Sequence, residues 1–193
     1  MSRGKLIVVS APSGGGKTSI VKAVMERYPS LLFSVSATTR AMRAGEVNGR
    51  EYFFLTMKEF ESRIRANDLV EWEEIYGDYY GTLKSEVDRA LAAGRTMLFD
   101  IDVKGGLSIK RGYPDDTVLI FIKPPSFEVL KERLSNRKTE DDATLRRRLA
   151  RVQMEIEKGS LFEHQVVNDE LQRAIAEVEN IIANHASVQT ING

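Results

Sequence analysis

The sequence predicts an α/β domain: a buried parallel sheet covered by helices on both faces, with a β-rich lobe inserted near residues 36–84. Three observations predict it. The apolar run Leu6-Ile7-Val8-Val9 leads through a glycine-rich turn into a helix-like stretch. The compact runs Thr96-Met97-Leu98-Phe99-Asp100 and Val118-Leu119-Ile120-Phe121-Ile122 have the composition of parallel strands covered on both sides. Strand and helix patterns alternate along the chain, with no internal repeat and no low-complexity linker.

In order, residues 18–28 place Ile20, Val21, Val24, Met25 and Tyr28 on one helical face, and Pro29 stops that helix. Residues 31–36 alternate apolar and polar (Leu31, Phe33, Val35), as a half-buried strand does. A charged, loop-like stretch follows, then the strand Tyr52-Phe53-Phe54-Leu55. Thr56 and Glu59 form a capping-box pattern ahead of a short helix bearing Phe60 and Ile64. Residues 69–83 predict two strands joined at Gly77-Asp78, and a helix over about 84–93 ends at Gly94.

After the two buried runs, helices are predicted at about 126–135 and 142–158. The second carries Leu145, Leu149, Val152 and Ile156 in register. Gln165-Val166-Val167 predicts a last short strand, and Leu171, Ile175, Val178 and Ile182 mark a closing helix.

Composition excludes several classes. The 193 residues can bury a full α/β core, and 28 basic residues balance 28 acidic ones, so no global charge draws the chain to nucleic acid or membrane. The absence of cysteine excludes disulfides and thiolate metal sites. The N-terminal apolar run is too short for a signal-peptide core and no stretch has membrane-spanning length. A soluble, cytoplasmic protein is the expectation.

The glycine-rich turn is Ala11-Pro12-Ser13-Gly14-Gly15-Gly16-Lys17-Thr18. A strand, such a loop and a helix, in that order, make a cradle for a nucleoside triphosphate. Glycines adopt backbone angles that turn successive N–H groups around phosphate oxygens, and the helix start adds positive potential. Lys17 reaches the β- and γ-phosphates, and the Thr18 hydroxyl can ligate Mg²⁺. The strict pattern wants glycine where this chain has Ala11.

Two further groups carry chemistry. Asp100 and Asp102 lie on the same side of an extended segment at the end of a buried strand, where open α/β sheets place ligands. They read either as Mg²⁺ partners, direct or through water, or as a helix cap or a loop salt bridge. In Ser36-Ala37-Thr38-Thr39-Arg40-Ala41-Met42-Arg43, two arginines beside hydroxyls can grip one phosphate; a solvated charged loop looks the same. Tyr52, Glu71 and Tyr79-Tyr80-Gly81-Thr82 from the same lobe add phenols, a carboxylate and an aromatic wall suited to a base. The isolated His164 and His185 read as packing or surface residues, and Trp72 as lobe core.

On these residues the chain resembles the guanylate kinase family nearly end to end. Beyond those already named, the resemblance includes Gly45-Glu46-Val47-Asn48-Gly49, Glu51, Pro124-Pro125-Ser126, Arg133 to Arg137 and Val167-Asn168-Asp169. It implies the P-loop nucleoside monophosphate kinase fold: a five-stranded parallel core sheet, an inserted GMP-binding lobe and a helical lid. The expected parts are a core of residues 1–35, 85–134 and 159–193, a lobe of 36–84 and a lid of 135–158.

The resemblance also implies roles. Ser36, Arg40, Arg43, Tyr52 and Tyr80 would bind the GMP phosphate, while Glu71, Thr82 and Asp100 would read guanine. A carboxylate at Glu71 suits guanine N1–H and the 2-amino group, and the Thr82 hydroxyl can donate to O6. Ala11 to Thr18 with Arg133, Arg137 and Asn168 would bind ATP, with Asn168 near adenine. Lys17, Arg40, Arg137 and Arg148 would stabilise charge during transfer. Mg²⁺ is the implied cofactor, held by Thr18 with Asp100 and Asp102 through water. ATP and GMP are the implied substrates, with dGMP a further acceptor; neither nucleic acid nor a membrane is an implied partner, and the chain would be a monomer or homodimer. Asn136 and Lys138 stand in the lid where many members carry glycine. Against a kinase of another small phosphate acceptor stands the guanine-reading set. Against a non-catalytic scaffold stand Lys17, Thr18 and the one-domain length.

Overall fold

The computed structural model describes residues 3–75, 77–126, 128–130 and 142–188, with the side chains of 142–149 outside that description. Nine strands, six helices and a helical segment at 128–130 lie in the described residues. The strands and helices are β1 (Leu6–Ser10), α1 (Lys17–Arg27), β2 (Leu32–Phe33), β3 (Ala37–Thr38), β4 (Phe53–Phe54), α2 (Met57–Arg65), β5 (Leu69–Ile75) and β6 (Asp78–Leu83). Then come α3 (Lys84–Ala92), β7 (Met97–Asp100), α4 (Val103–Gly112), β8 (Thr117–Lys123), α5 (Asp142–Gly159), β9 (His164–Val167) and α6 (Leu171–His185).

The core is a five-stranded sheet in the order β2-β7-β1-β8-β9, with every pair parallel. Period-two alternation divides β1 between two apolar layers. Ile7 and Val9 pack with Ile20, Val24, Val178 and Ile182 of α1 and α6. Leu6 and Val8 pack with Val87 and Leu91 of α3 and Val103 and Ile109 of α4. Both faces are therefore dry, as the uninterrupted apolar runs require.

The inserted lobe is a four-stranded sheet in the order β4-β3-β6-β5, antiparallel except for β3 against β4. Ala37, Phe60, Leu69 and Leu83 form its own small core. The capping box forms as expected: Glu59 N–H donates to Thr56 Oγ1 at 3.2 Å, and Thr56 N–H to Glu59 Oε2 at 2.7 Å.

The structure departs from the sequence expectation at three elements. The strand expected over 31–36 is split, because the chain leaves the edge of the core sheet at Phe33 and enters the lobe at Ala37. The expected strand over 52–55 shortens to Phe53–Phe54. Helix α4 was not expected at all. Its sequence pairs Gly105 with Gly106, poor helix formers, yet a Cβ on Gly106 would sit 2.8 Å from the Phe162 ring and 3.0 Å from Val8. Close packing on the sheet, not propensity, dictates that helix. Of the helix expected at 126–135, residues 128–130 are helical and 131–135 lie outside the described residues.

Candidate active site

The phosphate loop joins β1 to α1, and its conformation follows from its glycines. Gly14 (φ 84°) and Gly16 (φ 90°) are in the left-handed region that disfavours side chains. Gly15 N–H donates to Pro12 O at 2.8 Å, closing the turn. The buried Asn168 amide, arriving from the end of β9, donates to Gly15 O at 2.9 Å and fixes the loop from behind. That places Asn168 against the phosphate loop.

The loop opens on a cavity of about 620 Å³ lined by Ala11 to Ser19 with Asp102, Arg151 and Glu155. Lys17 Nζ is ion-paired with Asp100 at the end of β7 and donates to Ile101 O at 3.3 Å. The two aspartates divide their work. Asp100 holds Lys17, whereas Asp102 is the N-cap of α4 and accepts from Gly105 N–H at 2.8 Å. The cap reading of Asp102 is thus realised, and its second oxygen lies 3.7 Å from Arg151.

Oxygen donors in this cavity suit Mg²⁺. Among the described residues no group of three or more His, Cys, Asp or Glu could hold a metal alone. A site completed by nucleotide phosphates and water, with Thr18 as protein ligand, is the usual arrangement for this ion. The residues present therefore fit the cation.

The lobe supplies the second half. Glu71 of β5 and Thr82 of β6 are cross-strand partners, and Thr82 Oγ1 donates to Glu71 Oε1 at 2.6 Å. Burial pushes the Glu71 carboxyl up to about 6, with Asp102 and Glu73 adding to the rise and the Thr82 hydrogen bond opposing it. The Thr82 proton is committed to Glu71, so donation to guanine O6 requires the hydroxyl to turn away from the carboxylate. Glu71 Oε2 lies 3.4 Å from where a Cβ on Gly105 would project, so the lobe carboxylate meets the start of α4.

Arg40 is held in place before any phosphate arrives. Its guanidinium donates to Glu46 Oε1 and Ala41 O, each at 2.7 Å, and lies 5.3 Å from the Tyr52 ring centroid and 5.6 Å from that of Phe54. Tyr52 and Tyr80 meet edge to face at 6.0 Å, gathering three of the expected phosphate ligands. The Arg43 backbone N–H bonds Glu46 Oε2 at 2.7 Å while the residue itself is exposed, and Ser36 is half-buried where the chain enters β3.

Sequence reading missed Glu46, Arg151 and Glu155 as members of these clusters. The crowding of arginines over Arg133–Arg151 hinted at Arg151, and the i, i+4 spacing on a predicted helix at its pairing with Glu155, though charged helices abound in such pairs. Arg133 and Arg137 lie outside the described residues, and Arg148 falls in α5 with its side chain outside them. Trp72 is a correction. It shares the core-facing side of its cross-strand partner Gly81 and meets the Tyr79 ring edge-on at 5.5 Å, yet it lies 47% exposed because β5 is the edge strand and the small lobe core ends there. His164 and His185 do pack, ring to ring at 4.9 Å.

A doubly covered parallel sheet, a phosphate loop after its first strand and an inserted lobe with an anion-gripping arginine define a P-loop kinase of the nucleoside monophosphate class. Comparison with known proteins narrows this. The sequence model of the guanylate kinase family matches residues 3–185. A guanylate kinase of Chlorobaculum tepidum is 49% identical over 183 residues, covering 95% of this chain and 94% of that one. One of Chlorobium luteolum is 46% identical over 186 residues, covering 96% and 94%. The crystal structure of guanylate kinase from Anaplasma phagocytophilum superposes with a TM-score of 0.73 at 26% identity, covering 99% of this chain and 92% of that one. The chain belongs to the guanylate kinase family.

Proposed function

We propose that the two clusters divide one reaction between them, the phosphate loop holding ATP and the lobe holding GMP. The chain is an ATP:GMP phosphotransferase, a kinase that converts ATP and GMP to ADP and GDP. One observation carries the assignment of residues: Glu71 of the lobe reaches the start of α4, beside Asp102, which lines the phosphate-loop cavity. A base read at Glu71 and a triphosphate in the loop then lie at the same, carboxyl end of the parallel core strands β1 and β7.

In this reading Glu71 accepts from guanine N1–H and the 2-amino group, with Thr82 and Asp100 as neighbours. Adenine would turn a ring lone pair toward the carboxylate and lacks the second donor, a mismatch that can cost about 10⁴ in specificity. Ser36, Arg40, Arg43, Tyr52 and Tyr80 hold the GMP phosphate. The loop Ala11 to Gly16 and Lys17 hold the donor phosphates, and Arg133, with Arg137 and Arg148 of the lid, completes the set. Asn168 keeps the loop in shape. Thr18, with Asp100 and Asp102 through water, would hold Mg²⁺, which supplies charge neutralisation when bound.

A GMP phosphate oxygen attacks the γ-phosphorus as its bond to the β–γ bridging oxygen breaks, and ADP departs. The nucleophile is already anionic at neutral pH, so no general base is needed; alignment and charge stabilisation do the work. The same division assigns residues 36–84 to the GMP lobe, 135–158 to the lid and the remainder to the core. No described helix is long and apolar enough to cross a membrane. A cytoplasmic monomer or homodimer is part of the proposal, and sedimentation of the purified chain tests its state of assembly.

The test is ADP release with ATP and Mg²⁺, comparing GMP, dGMP and AMP as acceptors for the parent, Lys17→Ala and Arg40→Ala. GMP is expected to be strongly preferred to AMP, and each substitution to lower kcat/KM by roughly 10²–10⁴ without unfolding the chain. Parental turnover in Lys17→Ala would refute the assigned cradle.

A further inference from the structure

Arg151 and Glu155 occupy one face of α5, a turn apart, and both line the phosphate-loop cavity. Glu155 is only 5% exposed. Its Oε2 accepts from Ser13 N–H of the phosphate loop at 3.2 Å, and its Oε1 accepts from Arg151 Nε at 3.0 Å. A buried carboxylate thus ties the helix to the loop while gripping the guanidinium by one edge. The Arg151 side chain remains 49% exposed, and its Nη2 lies 3.7 Å from Asp102 Oδ2, beyond hydrogen-bond reach.

Charge arithmetic in the cavity gives this geometry a purpose. Among the described residues Lys17 and Arg151 are its cationic lining, and Lys17 is already paired with Asp100. A triphosphate brings several negative charges into a cavity that also holds Asp102 and Glu155. We infer that Arg151 is a further phosphate-binding residue, whose guanidinium exchanges its loose contact with Asp102 for the donor's terminal phosphates. Glu155 is the positioning residue that aims it. Pinning Nε to Glu155 leaves the Nη edge of the planar fork turned away from that carboxylate, the presentation that suits a bidentate grip on phosphate. The inference rests on the reading of this cavity as the ATP site and adds to it a cation that the resemblance did not supply.

The experiment is steady-state ADP release by the full chain, varying ATP and then GMP, for Arg151→Ala, Arg151→Lys, Glu155→Ala and Glu155→Gln, with Lys17→Ala alongside. Loss of one charge-assisted contact should raise the KM for ATP roughly tenfold or more in Arg151→Ala, while the KM for GMP moves by less than about threefold. Arg151→Lys, a point charge without the fork, should recover part of the loss. Added KCl should raise the parental KM for ATP more steeply than that of Arg151→Ala, a difference that a merely structural arginine would not produce. Glu155→Ala should raise the KM for ATP as well. Glu155→Gln, which keeps an acceptor for Ser13 and retains the shape, should fall between it and the parent, and decides the positioning role if the alanine variant does not fold. An Arg151→Ala enzyme with the parental KM for ATP and the parental salt slope overturns the inference. If instead Lys17→Ala keeps parental turnover, the reading of the cavity itself is what fails.

Discussion

Thr82 Oγ1 lies 2.6 Å from Glu71 Oε1 across adjacent antiparallel strands, joining the two residues assigned to guanine. The carboxyl it contacts has been pushed up to about 6 by burial, with Asp102 and Glu73 contributing. Below that pH Glu71 is protonated and offers guanine one acceptor fewer. The KM for GMP should therefore rise as pH falls through about 6, and Glu71→Gln should have a high KM with a weaker dependence on pH there, the remainder coming from the second ionisation of the GMP phosphate, also at about 6. Thr82→Val, which removes the opposing hydrogen bond, should move the inflection to higher pH. Kinetics between pH 5 and 8 check both expectations.

Arg40 is oriented by Glu46 through the 2.7 Å contact and backed by Tyr52 and Phe54. Glu46→Gln keeps the size but loses the charge that aims the guanidinium. The expected result is a several-fold rise in the KM for GMP, on the order of one charge-assisted hydrogen bond, with the KM for ATP unchanged. Isothermal titration with GMP gives an independent measure.

Gly16 carries a positive φ of 90°, and a Cβ there would lie 2.2 Å from Asn168 Nδ2. Gly16→Ala should cost about 1–2 kcal/mol in backbone strain alone and push Asn168 off Gly15 O. Because the loop amides must stay aligned to phosphate, kcat/KM for ATP should fall by roughly 10²-fold. Adding Asn168→Ala relieves the clash but not the strain, so it should restore stability only in part. Thermal melts and ADP release separate the two effects.

His164 is held below its ordinary pKa, first by burial and then by His185 at 4.9 Å, with Glu163 opposing. A histidine whose folded pKa is lowered binds fewer protons folded than unfolded, so stability falls as pH drops through about 6.5. Glu71 acts with the opposite sign: its raised folded pKa makes stability fall as pH rises from 4.5 through about 6. His164→Gln should flatten the first dependence and Glu71→Gln the second. Urea denaturation at pH 5, 6 and 7 distinguishes them.

Much of the fold is legible in the chain because its signals are local. The runs at β1, β7 and β8 are apolar except at their ends, as strands dry on both faces must be, and α1, α2, α5 and α6 show helical spacing or caps. Helix α4 was hidden because Gly105-Gly106 argues against a helix, while the space between Val8 and Phe162 allows only a glycine there. The cap role of Asp102 was hard to see in the sequence for the same reason: an N-cap is recognised once the helix it caps is known.

The phosphate loop and the arginine-tyrosine set are written in residue types and spacing, so the sequence alone pointed to a nucleotide donor, a second anion site beside an aromatic wall and an α/β frame to hold them, and the resemblance to guanylate kinases implied GMP as the acceptor. Tertiary structure decided which charges face one another. Lys17 with Asp100, Arg40 with Glu46, Thr82 with Glu71 and Ser13 with Glu155 are each a carboxylate choosing one donor among many. That choice depends on burial and on distances of a few ångströms between segments as far as 142 residues apart, which no local pattern encodes.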